Sequence, residues 1–327
     1  MTRSYPWPAI SLPGRGRWAA VGIISLCAAA VIVATAVAQA PSDLLKREGP
    51  VAGQEPISPI PAAPAADPLK LALGKRLFSD PRLSGGGNLS CSSCHDISAN
   101  GARPDGAVSW PFDTPTIFNA VLNFRLNWEG NFRSPAEHVV SSLENPVYMR
   151  SSVEDVVRKL NADPGMVDRF RAAYGGEPDA ERFLDAMVTF ERSLVTPGAR
   201  FDRWLGGDRS AVSQAELEGY RLFKSLGCSS CHQGVNVGGN LFERQGIFHP
   251  LVQRPPETVR VPSLRNVATT APYFHDGSAA TLQDAVRRMA ASQLDRTLTD
   301  EQVETLVAFL RTLTGNYRGS VVAGAAP

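Results

Sequence analysis

Three stretches of the chain repeat apolar residues with a period near 3.6. Val153 to Leu160, Ala180 to Leu194 and Glu301 to Leu313 each gather those residues on one face, which predicts amphipathic helices. Two more helices are marked by their starts. Ser134, Pro135 and Glu137 form an N-cap, a first-turn proline and a capping box, and Thr281 with Asp284 repeats the signal. Strand-like alternation is weak throughout, and Gly and Pro clusters mark the loops. The expected fold class is mainly α. The N-terminus differs: Arg3, Arg15 and Arg17 precede an apolar run from Trp18 to Ala38 that ends on Ala36-Val37-Ala38. Residues 1–40 read as an export signal cleaved before Gln39, or as an uncleaved membrane anchor, because the run of about 20 residues can span a bilayer. Residues 41–66, rich in Pro and Ala, read as an extended linker without a core.

Beyond the linker the chain repeats itself. Arg76-Leu77-Phe78 recurs as Arg221-Leu222-Phe223, and Pro115-Thr116-Ile117-Phe118-Asn119-Ala120 as Pro262-Ser263-Leu264-Arg265-Asn266-Val267. Trp128-Glu129-Gly130 and His275-Asp276-Gly277 follow at matched distances, and then the two caps. Two homologous domains are expected, at 67–213 and 214–320. The caps lead to different side chains: His138 lies four residues after Ser134, and Met289 eight after Thr281. Positions four apart share a helix face, so both can point to one side.

Each repeat holds one Cys-Ser-Ser-Cys-His motif, Cys91/Cys94 with His95 and Cys228/Cys231 with His232. Two thiols three positions apart reach the two vinyl groups of a haem, and the adjacent imidazole lands beneath the iron. A redox pair, a disulfide or a zinc knuckle would not need a histidine directly after both pairs. Two cytochrome c-like haem domains, with two covalently bound haem c groups, are therefore expected. A net charge of +1 over 327 residues gives no sign of nucleic-acid binding.

With Leu73 to Ser84, Thr114-Pro115-Thr116, Val261 to Val267 and Ala271 to Gly277, these motifs resemble the bacterial dihaem cytochrome c peroxidase family, which includes MauG-like enzymes. The resemblance covers about residues 56–315. It implies a high-potential C-terminal haem ligated by His232 and Met289, and an N-terminal peroxide site at His95, with Trp128 between them. It also implies a calcium ion held by Asp113 and the carbonyls of Thr270 and Pro272, and a homodimer. Arg265 is a candidate partner for a haem propionate, with a salt bridge as the other reading. No His or Met lies between His95 and His138 to close the first haem. His138 stands where the family has a glutamine, and Tyr148 where it has the catalytic glutamate. His138, with an unperturbed pKa of about 6.5, is expected to act as the base, with Glu137 or Glu144 as alternates. The implied function is reduction of hydrogen peroxide by a periplasmic enzyme, using a small donor such as a cytochrome c or a cupredoxin. A MauG-like oxidase and a non-catalytic electron carrier or peroxide sensor are the alternatives.

Overall fold

The computed structural model describes residues 54–102, 112–252 and 255–324. The export signal or anchor, the first part of the linker, and most of the loop expected to lack a closing ligand lie outside these residues. Nine α-helices are described: α1 (Pro68–Phe78), α2 (Pro135–Glu144), α3 (Val153–Asn161), α4 (Pro164–Tyr174), α5 (Ala180–Arg192), α6 (Arg200–Leu205), α7 (Gln214–Ser225), α8 (Leu282–Leu294) and α9 (Asp300–Arg311). Two small antiparallel ribbons complete the secondary structure. One joins β1 (Phe242–Arg244) to β2 (Thr258–Arg260), and the other β3 (Asn316–Tyr317) to β4 (Ser320–Val321). None of the described helices is long and apolar enough to cross a membrane.

The repeat is visible in the backbone. Cys91–Ser93 and Cys228–Ser230 each form one turn of 3₁₀ helix. Asn119 (φ 61°) and Asn266 (φ 60°) are both left-handed and each opens another such turn. Short side chains tolerate this conformation best, which explains asparagine at both places. Single bridges Leu126 to Phe132 and Tyr273 to Ala279 then close matching loops around Gly130 (φ 65°) and Gly277 (φ 67°). The caps follow. Ser134 and Glu137 form the reciprocal box, whereas Thr281 accepts from the Asp284 N–H without a return bond.

Glycines join the helices within each half. A Cβ on Gly74 of α1 would lie 2.1 Å from the Ala186 carbonyl oxygen of α5, and one on Gly219 of α7 would lie 2.1 Å from that of Thr305 of α9. Only glycine permits either approach. Phe190 and Phe309 pack at these crossings, inside two apolar cores. The cores do not follow a division at 213/214. Phe201 and Trp204 of α6 belong to the second core, and Val322 near the C-terminus belongs to the first. The end of the linker also differs from expectation. Ile57 and Ile60 are buried, Gly234 donates to the Pro56 carbonyl (2.7 Å), and Glu55 accepts from Tyr220 and Lys224. Its two isoleucines gain more from burial than an extended spacer would.

Candidate functional site

Each Cys-Ser-Ser-Cys-His turn lies on the wall of a cavity. Cys91, Cys94 and His95 line one of about 240 Å³ with Trp128, His138, Tyr148 and Glu191. Cys228 and His232 line another of about 190 Å³ with Trp128 and Met289; an adjoining cavity adds Cys231 and His275. The volumes are similar, so the lining chemistry is what distinguishes them.

The two turns are built alike. No disulfide joins either cysteine pair. Burial pushes the Cys91 thiol up to about 12 and the Cys228 thiol up to about 11. A redox-active C-x-x-C thiol needs its pKa lowered, so these pairs are poor redox centres. Nδ1 of His95 donates to the Gly101 carbonyl and Nδ1 of His232 to that of Val237, both at 3.2 Å. This bond fixes the tautomer and leaves Nε2 with a free lone pair, the arrangement a metal-bound histidine requires. Burial holds both imidazoles below their usual pKa, hence neutral. Paired thiols, an oriented imidazole and an adjoining cavity, present twice, fit a covalently attached haem c on each turn.

His138 and Met289 face the cavities that hold His95 and His232 respectively. The His138 ring packs edge-on against Phe132, and burial lowers its pKa to about 4. It is therefore neutral at neutral pH, and its value lies well below the unperturbed 6.5 on which the sequence expectation rested. Tyr148 lines the same cavity but is exposed to solvent, and partial desolvation raises its phenol pKa. The alternate bases are elsewhere: Glu137 is spent on the cap, accepting from the Arg133 and Ser134 N–H groups, and Glu144 is exposed. Asp113 and Glu191 are the carboxyl residues that do line this cavity; burial raises the pKa of Glu191, at the end of α5, to about 8. The amphipathic pattern hid Glu191, because it reads as an ordinary polar residue beside Phe190.

Trp128 touches all three cavities, and its indole N–H donates to the Asp113 carbonyl (3.0 Å). Asp113, Thr270 and Pro272 share one wall of the second cavity. Among the described residues no three or more His, Cys, Asp or Glu side chains cluster to hold a metal, so a cation there would depend on carbonyl oxygens. Arg265 lines none of the cavities, contrary to its reading as a propionate partner. It is 1% exposed and donates to Asp202 (2.7 Å), to the Val235 carbonyl (2.8 Å) and to the Ser58 carbonyl (2.7 Å). Its charge is compensated inside the protein.

Two haem-binding turns on one duplicated helical scaffold define a dihaem c-type cytochrome. The comparisons agree. The model for "Di-haem cytochrome c peroxidase" matches residues 68–210, and that for "Cytochrome c" matches 217–314. A cytochrome c551 peroxidase of Nitrosomonas europaea is 40% identical over 82% of this chain and 86% of its own. The cytochrome c peroxidase Ccp of Escherichia coli is 37% identical over 80% of this chain and 62% of its own greater length. A solved MauG-like protein associated with microbial copper homeostasis superposes with a TM-score of 0.67 at 25% identity, over 80% of this chain and 95% of that one. The chain belongs to the dihaem cytochrome c peroxidase family, and carries two covalently bound c-type haems.

Proposed function

We propose that this protein reduces hydrogen peroxide to water at the His95 cavity, with electrons that enter at the His232 cavity. The observation that carries the reading is the contrast between the two helix faces: His138 in the first cavity, Met289 in the second. Cys91/Cys94 and Cys228/Cys231 would be the attachment points, His95 and His232 would hold the two irons, and Met289 would supply a further ligand in the second cavity. When bound, the haem irons supply peroxide binding, oxygen–oxygen cleavage and electron storage.

The chain supplies the proton handling. Splitting peroxide requires a proton to move from the near oxygen to the leaving one. Neutral His138 accepts that proton at Nδ1 or Nε2 and returns it to the departing oxygen. Tyr148 and protonated Glu191 are donors in the same cavity. Two electrons and two protons convert each peroxide to two waters. Trp128, in contact with both cavities, bridges the electron path between them. A cytochrome c or a cupredoxin is the donor, and the basic, apolar N-terminus directs the chain to the periplasm, with or without retention as an anchor. Asp113 and the carbonyls of Thr270 and Pro272 form a hard-oxygen set for a calcium ion.

Steady-state peroxide turnover by the holoprotein with a reduced cytochrome c or cupredoxin tests the reading. Peroxide-dependent oxidation of the donor is expected without prior reduction of the enzyme. No turnover with either donor overturns the peroxidase assignment and favours an electron carrier or sensor. For the cation, Asp113→Ala is expected to weaken calcium binding at least tenfold in a calorimetric titration.

A further inference from the structure

Two buried arginines lie five residues apart, and among the described residues only one has a counterion. Arg265 pairs with Asp202. Arg260, 6% exposed, ends β2 and has two long hydrogen bonds, from Nε to the Asn127 carbonyl and from a terminal nitrogen to the Val261 carbonyl, both at 3.3 Å. Among the described residues no carboxylate forms a salt bridge with it. An unpaired buried charge is strongly disfavoured unless an anion arrives to meet it. A guanidinium has five N–H donors, so most of its capacity is unused.

Its location identifies the anion. Arg260 lines both main cavities, beside Trp128, whose carbonyl accepts from the Arg260 main-chain N–H (2.8 Å). Neither cavity has another lysine or arginine on its described wall. Haem carries two propionate carboxylates, the group a guanidinium binds in bidentate fashion.

We propose that Arg260 is a shared anchor, binding a propionate of the haem in each cavity and setting both reduction potentials together. The proposal rests on the reading that both cavities hold haem. Removing the cation leaves the propionates uncompensated, which favours the ferric form of both haems. The anchor thereby holds the two cofactors against one side chain, next to the tryptophan between them.

The test uses the holoprotein. In Arg260→Gln, spectroelectrochemical titration should show both midpoints falling, each by about tenfold in the reduction equilibrium, or 59 mV for a one-electron couple. In Arg260→Lys, which keeps the charge and loses the fork, both midpoints should stay within about threefold of wild type while the propionate-bending bands in resonance Raman shift. A change at one haem only, or at neither, overturns the shared anchor. Should a variant fail to load two haems by the pyridine haemochrome assay, the wild type decides. Its propionate bands from both haems must shift in D₂O, as bands of hydrogen-bonded carboxylates do, and unshifted bands overturn the proposal. Peroxide turnover is read separately, so a peroxidase without the shared anchor and an anchor without peroxidase activity are distinguishable.

Discussion

Helices α2 and α8 hold equivalent places in the repeat and offer the same two positions to their cavities, four and eight residues beyond the cap. In α2 these are His138 and Ser142; in α8 they are Ala285 and Met289. Each half puts a large donor at one position and a small residue at the other, in opposite order. The contrast extends to the helices behind. Glu191 directly follows Phe190 at the Gly74 crossing, and Leu310 directly follows Phe309 at the Gly219 crossing; each lines its own cavity. One scaffold thus yields a cavity with a base and a protonated carboxyl, and another with a thioether and a leucine. The first suits a reaction that moves protons. The second suits electron transfer, which needs a fixed ligand and little else.

The strongest way to break this comparison is to make the first cavity resemble the second. His138→Ala combined with Ser142→Met should close the first haem and lower peroxide turnover by about 100-fold or more, the usual contribution of an acid–base group. A low-spin shift in the absorption spectrum would report the closure. His138→Ala alone should cost turnover without that shift. As the proposed base, His138 must be neutral to act, and burial lowers its pKa to about 4. The acid limb of kcat/KM for peroxide should therefore fall near pH 4. A limb near 6.5 would point to a solvated group.

Glu191 allows a smaller test. Its pKa rises on folding from 4.5 to about 8, so the folded chain holds a proton that the unfolded chain releases in between. Stability from this group is complete below about pH 4.5 and is lost as pH rises through 8. Chemical denaturation of the wild type should show a decline on the order of a few kcal/mol over that window, and Glu191→Gln should flatten it.

The difference between the two halves was partly legible in the sequence. The haem turns, the caps and the His138/Met289 contrast follow from local spacing, and local spacing survives folding. Glu191 and Arg260 were not legible. Glu191 matters because α5 brings the end of its apolar face to a cavity formed by residues about a hundred positions away. Arg265 had two readings, a propionate partner and a salt bridge. The bonds to Asp202 and Ser58 support the second, and no periodicity announces the approach of such distant residues. Glycine by itself lowers helix propensity, which gives Gly74 and Gly219 no local reason to stand inside helices. Their value appears only when α5 and α9 cross over them.

The last two tests address what the halves share. Gly74→Ala and Gly219→Ala each drive a methyl into a backbone carbonyl, and should each destabilise the protein by about 1–3 kcal/mol. Similar losses are expected, because the crossings are the same structure; a difference beyond that range would mean one half governs unfolding. The caps should differ by less. Ser134→Ala removes the acceptor for the Glu137 N–H and Thr281→Ala the acceptor for the Asp284 N–H; the return bond to the Glu137 side chain comes from the main-chain N–H of residue 134, which alanine keeps. Losses of about 1 kcal/mol are expected for each, equal at the two caps. Urea midpoints of the two variants decide it. A larger loss at Ser134 would mean that the return bond to Glu137 depends on the serine hydroxyl; equal midpoints would mean that it stands on the main chain alone, and that the caps, unlike the cavities behind them, are interchangeable.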